Sequence, residues 1–137
     1  MNRRILTGCV LLSFLGATAT AMADSQSPAR AQLQEFLTAF NSGDRSTIVS
    51  FGQDHAPPDF LRAQIVDQTL EMYRESGGYD LLEVNETGPL SLTSWVRARK
   101  TREIVLLAVQ VHADEPGRIS MIGFHSDAPP ERLRTRQ

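Results

Sequence analysis

The chain has 137 residues, 14 basic against 16 acidic side chains, and a single cysteine, Cys9. That length suits one domain with one core. The acidic balance argues against a surface for nucleic acid or anionic membrane, both of which want clustered positive charge.

The first residues have the three parts of a cleavable secretory signal. Arg3 and Arg4 precede an apolar run over residues 5–19, and Ala21-Met22-Ala23 places small residues where the peptidase reads. The run is too short to span a bilayer as a permanent helix. Leu6-Thr7-Gly8-Cys9 matches the four-residue pattern of a lipoprotein signal. Most of the apolar run follows Cys9, however, so lipid attachment there is rejected. The expectation is a signal peptide over residues 1–23 and a mature chain starting at Asp24 in the periplasm or the medium, with no membrane anchor. It would carry 12 basic against 16 acidic residues, a net charge of −4, and no cysteine. Disulfides, thiolate zinc ligands and a cysteine nucleophile are then excluded.

Residues 24–27 read as a leader. Ser27-Pro28 is a helix start, a capping hydroxyl before a proline at the first helical position. Leu33, Phe36, Leu37 and Phe40 recur at helical spacing, and Asn41-Ser42-Gly43 stops that helix. Asp44 caps a short second helix carrying Ile48 and Phe51, with a loop over residues 52–58. Proline disfavours helix in the residue before it, so Pro57-Pro58 separates a third helix, predicted over residues 59–76 with Leu61, Ile65, Leu70 and Tyr73 along one side. Gly77-Gly78 ends it.

From there the pattern alternates. Strands are predicted over residues 79–86, 90–99, 103–112 and 118–126, and Asp127-Ala128-Pro129-Pro130 closes the domain. Residues 131–137 read as a flexible charged tail. The result is one α+β domain over residues 28–130, three helices packed on a four-stranded antiparallel sheet. With Lys100-Thr101 as a two-residue loop, Trp95 lies opposite Leu106 and Arg97 opposite Ile104. The core face then carries Leu92, Val96, Val105, Leu107, Val109, Val111, Ile119 and Met121. The outer face carries Trp95, Arg97, Ile104, Leu106, Ile122 and Phe124. That face is too apolar to meet only water, so a homodimer or a docked protein partner is expected there, unless the curved sheet or the tail after Ser126 folds over it within one chain.

Phe40-Asn41-Ser42-Gly43-Asp44 resembles the F-N-x-G-D signature of nuclear-transport-factor-2-like domains. The Gly77-Gly78-Tyr79-Asp80-Leu81-Leu82 junction, with the meander after it, is similar to one subgroup of them. Members of that subgroup precede beta-lactamase-type or tail-specific-protease-type domains in exported bacterial proteins. The resemblance spans roughly residues 28–130. It implies a cone enclosed by helices and a strongly curved sheet, either open as a ligand pocket or filled as core, and an accessory role.

Enzymes resembling this fold carry an aspartate with tyrosine, an Asp-Arg-Asp set or a histidine with aspartate inside the cone, and none of these sets matches here. The catalytic candidate is His125, placed by the strand register on the core face near Glu103, where a neighbour would tune its pKa. His112 flanks a turn. Asp54-His55 lies in a loop over the mouth of the cone. Asp54, His55, His112 and His125 lack metal-ligand spacing, so no metal is expected, nor any other cofactor. Tyr73 and Tyr79 are candidates for the lining of a ligand pocket. Arg97, Arg99, Lys100 and Arg102 form a basic cluster at one hairpin tip, solvated unless an anionic partner uses it. No G-x-S-x-G elbow, glycine-rich phosphate loop or dinucleotide fingerprint occurs. The aliphatic core face favours a non-catalytic domain that binds a small apolar ligand or a protein partner; the alternative is a small isomerase or hydrolase using the cone.

Overall fold

The computed structural model describes residues 26–136. The expected signal segment, residues 1–23, and Cys9 lie outside the described residues. Helices α1 (Pro28–Ser42), α2 (Arg45–His55) and α3 (Ala63–Ser76) come first. Strands β1 (Tyr79–Gly88), β2 (Ser91–Ala98), β3 (Ile104–Val111) and β4 (Ile119–His125) follow, then a short α4 (Glu131–Arg134). The sheet is open and antiparallel in the order β1-β2-β3-β4. Among the described residues no helix is long and apolar enough to cross a membrane.

Local chemistry sets the helix ends. The Ser27 hydroxyl accepts from the Arg30 amide at 3.2 Å, with Pro28 at the first turn, and Asp44 accepts from the Thr47 amide at 3.0 Å. Gly43 takes φ +63 and returns its amide to the Phe40 carbonyl, a left-handed cap that suits glycine. Helix α2 runs through Gly52 to His55, past its predicted end. Pro57 stops it instead, by holding Ala56 extended at φ −98, ψ 163. The third helix is shorter than predicted. A 3₁₀ turn (Pro58–Leu61) precedes it, and Arg62, at φ −59 and ψ 132, breaks the chain direction before Ala63.

The β2–β3 register is the expected one, Trp95 opposite Leu106 and Arg97 opposite Ile104. The loop is longer than two residues, because Arg102 takes φ +65 and its amide closes on the Ala98 carbonyl at 2.9 Å. Strand β4 departs from strict alternation. Val111 faces Ile119 and Gln110 faces Met121, so Ser120 is left without a partner as a bulge. Beyond it the side chains change face. Ile122 and Phe124 therefore turn toward the helices, opposite Val109 and Leu107, and are not on the outer face. Met121, expected in the core, is 42% exposed.

The core lies between the helices and the inner sheet face. Phe40, Leu33, Val96, Leu107, Val109 and Ile119 are sealed in it. Phe124 reaches Tyr79 at 5.2 Å, Phe36 at 6.1 Å and Phe40 at 6.3 Å between ring centroids. On the outer face Trp95 is also buried, at 8% exposure, and the chain's own tail is fastened to the residues on either side of it. Glu83, the strand partner of Trp95, accepts from Arg132 at 2.6 Å. Arg97 donates to the Leu133 and Arg136 carbonyls, and Leu133 is 2% exposed. Residues 131–136 thus form a clasp over the outer face. The free charged tail expected from composition is replaced by a segment that one leucine anchors.

Candidate functional site

An apolar cavity of about 180 Å³ opens between α3 and the end of β4. Helix α3 contributes Ile65, Gln68, Thr69 and Met72, helix α1 Phe36 and Phe40, the 3₁₀ turn Phe60, and β4 Ile122, Gly123 and Phe124. The bulge at Ser120 makes this site, since without it Ile122 and Phe124 would point away from α3. Thr69 donates to the Ile65 carbonyl at 2.8 Å within its own helix, which leaves the Gln68 amide as the polar group of the lining. None of the ten lining residues titrates. A shallower hollow of about 350 Å³ shares Phe60, Ile65 and Ile122 with the cavity and continues over Met121.

The residues singled out from sequence lie mostly elsewhere. His125 sits opposite Leu106, on the outer face and exposed, because the bulge reverses the end of β4. It is on the far side of the sheet from Tyr79 and the core, which removes the placement that made it a catalytic candidate. Glu103 instead lines a cleft of about 210 Å³ with Met72, Glu75, Ser76, Tyr79 and Thr101. Tyr79 is 8% exposed, and burial holds its phenol above the usual tyrosine pKa, with the charges of Glu103 and Glu75 adding to the effect. Tyr73 packs edge-on against Phe40 at 6.0 Å and covers Gly43. Neither tyrosine lines the apolar cavity.

The Phe40-Asn41-Ser42-Gly43-Asp44 segment works as a structural junction. Phe40 is fully buried. Asn41 donates to the Tyr79 carbonyl at 2.9 Å and accepts from the Tyr79 amide at 2.8 Å, tying the end of α1 to the start of β1. Hydrogen bonds from Ser46 and Thr47 hold the Asp44 carboxyl below its usual pKa. His55 stacks on Phe51 at 5.5 Å and its Nδ1 lies 3.3 Å from the Gly117 carbonyl. Arg118 bonds the Gln53 and Ala56 carbonyls at 3.2 Å from the same turn. Asp54 borders a hollow between α1 and α2 with Glu35, Thr38 and Ser50. Among the described residues no group of three or more His, Cys, Asp or Glu side chains is placed to hold a metal.

The basic hairpin tip divides. Arg99 pairs with Asp80 at 2.9 Å, and Lys100 donates to the Arg74 carbonyl at the end of α3 at 2.7 Å. Arg97 and Arg102 turn instead to the outer face, where with Ile104 and Arg134 they line a pocket of about 170 Å³. Sequence reasoning missed Arg134 because it sits in the tail, and missed the cavity because a packing gap between α3 and β4 leaves no local pattern. The one available signal was the alternation of Ile122 with Phe124. No protein-family model, curated protein or solved structure matches the chain.

Proposed function

We propose that the protein is an exported, non-catalytic domain of the nuclear-transport-factor-2-like type that binds a compact apolar molecule in the cavity beneath α3. The observation that carries this reading is the lining itself, with aromatic and aliphatic walls, one free amide from Gln68 and no ionisable group. General acid–base or nucleophilic catalysis needs a proton carrier, or a nucleophile with a base to activate it, within hydrogen-bond reach of the substrate; this lining holds no base, and its one hydroxyl, Thr69, is bonded to the Ile65 carbonyl. Apolar pockets with a few polar groups are the ordinary form of a small-ligand site. An engineered apolar cavity of about 150 Å³ takes up benzene, so about 180 Å³ suits one ring or a short branched chain. Export rests on Arg3, Arg4, the apolar run and Ala21-Met22-Ala23, and the family on the Phe40–Asp44 segment and the order of elements. A homodimer or protein partner at Trp95 would first have to displace the clasp, which makes the cavity the better-supported site.

The test is a panel of single-ring aromatics and short branched alcohols, read by chemical-shift changes in the methyl groups of Ile65, Met72 and Ile122. Saturable shifts confined to these methyls are expected, and Thr69→Leu, which fills the cavity from α3, should abolish them while circular dichroism stays native. A panel that binds nowhere, or binds Thr69→Leu unchanged, overturns the reading. Turnover of any panel member would favour the isomerase or hydrolase alternative.

A further inference from the structure

The chain is acidic overall, yet its arginines fall into two populations. Seven of them, Arg30, Arg45, Arg62, Arg74, Arg99, Arg118 and Arg132, each hold a carboxylate within ion-pair distance. Among the described residues, Arg97, Arg102, Arg134 and Arg136 pair with no carboxylate, and all four belong to the outer face and its clasp. Three converge on one pocket of about 170 Å³, whose remaining wall is Ile104. Separate elements bring them there. Arg97 shares its face with Ile104 across the β2–β3 ladder, and Arg102 is itself the left-handed residue of the hairpin turn. Arg134 arrives on α4, its Nε anchored on the Pro129 carbonyl at 3.0 Å.

We propose that this pocket is a binding site for a compact oxyanion of the phosphate class. Three guanidinium groups around one hollow repel one another, and an anion between them turns that repulsion into attraction. The guanidinium fork presents paired donors that match phosphate oxygens. The pocket admits one phosphate group, supplied free, on a small monoester or on a lipid headgroup. Arg97 belongs to β2, Arg102 to the turn that joins β2 to β3, and Arg134 to the clasp, so the bound anion bridges hairpin and clasp and holds the clasp closed over Trp95. The site lies on the opposite sheet face from the apolar cavity and does not depend on the ligand proposed there.

The experiment titrates the purified protein with inorganic phosphate at constant ionic strength, with potassium chloride as the balancing salt, and follows melting temperature and Trp95 emission. A saturable rise in melting temperature is expected with phosphate and not with chloride. Arg102→Gln and Arg134→Gln should each weaken the response about tenfold or more, the loss of one charge-assisted contact. Arg62→Gln, which removes a guanidinium already paired with Asp59, should leave it unchanged. Co-sedimentation with phosphatidic acid vesicles, against phosphatidylcholine vesicles, separates the sources. Sedimentation that needs Arg102 assigns a lipid headgroup, and a phosphate response without sedimentation assigns the free anion. An equal response to chloride, or Arg102→Gln and Arg134→Gln variants that respond like the parent, overturns the proposal.

Discussion

Trp95 is the only tryptophan in the chain, so its fluorescence reports directly on the clasp that covers it. The perturbation is Leu133→Ala. Leu133 is 2% exposed and is the one buried side chain of α4. Burying a leucine side chain is worth about 1.5–3 kcal/mol relative to leaving it in water. The Arg132–Glu83 pair, with the arginine side chain 59% exposed, adds little. Removing most of the leucine therefore weakens docking by about 2 kcal/mol, roughly a thirtyfold shift toward the released tail. Trp95 emission should move to longer wavelength and become quenchable by acrylamide, while far-ultraviolet circular dichroism stays native. Leu107→Ala is the benchmark. Leu107 is fully buried between sheet and helices, and its truncation should cost about 2–5 kcal/mol of global stability. The cost of Leu133→Ala has a ceiling, because once the tail is released nothing further is lost. Its effect on the denaturation midpoint should be the smaller one. Unchanged emission, or a stability loss as large as that of Leu107→Ala, would refute the reasoning and make the tail an integral part of the core.

Two more outcomes follow from backbone geometry and titration. Gly43 and Gly77 both take left-handed φ, +63 and +72, where alanine is strained by roughly 1–2 kcal/mol. A Cβ at Gly43 would also lie 2.2 Å from the packed Tyr73 ring, whereas at Gly77 it would meet the flexible Lys100 side chain at 2.7 Å. Chemical denaturation should therefore show Gly43→Ala to be clearly more costly than Gly77→Ala, and equal losses would contradict this packing. Tyr79 has a raised pKa in the folded state, chiefly through burial. Its contribution is fully present below the unfolded tyrosine pKa near 10 and is lost as pH climbs from there through the folded value. Tyr79→Phe should flatten the alkaline limb of the stability profile above about pH 10, and a limb of unchanged slope would count against the phenol as its source.

Where local chemistry decides the structure, the sequence could be read directly. Ser27-Pro28, Gly43, Asp44 and Gly77 mark helix ends because a capping oxygen, a fixed proline φ or a left-handed turn acts on its immediate neighbours. The Trp95–Leu106 pairing was legible for the same reason, since a short hairpin fixes register across a few residues. Strand β4 was not, because one unpaired residue, Ser120, reverses the facing of everything after it. Strict alternation puts Phe124 and Ile122 on the outer face and His125 in the core, and so conceals the cavity that the bulge creates. The tail failed differently. Leu133 is a lone apolar residue among Glu131, Arg132, Arg134 and Arg136, and composition alone reads such a segment as solvated. Only the surplus of apolar surface around Trp95 signalled that something must cover it.

The polar groups of the Phe40–Asp44 segment are ones whose bonding capacity the fold has already used. Asn41 spends its carbonyl and amide on the two backbone groups of Tyr79, and Asp44 takes bonds from Ser46 and Thr47 that keep it an acceptor. Such groups are satisfied in the resting fold, so a ligand would have to break existing bonds to engage them. Unspent capacity lies elsewhere. It sits with the guanidinium groups of Arg102 and Arg134, which among the described residues meet no carboxylate, and with the apolar walls beneath α3, which enclose space that side chains do not fill. Ligand chemistry belongs where binding adds contacts without removing any. By that criterion the Phe40–Asp44 segment holds the fold together, and the two hollows on opposite faces of the sheet are where recognition is proposed.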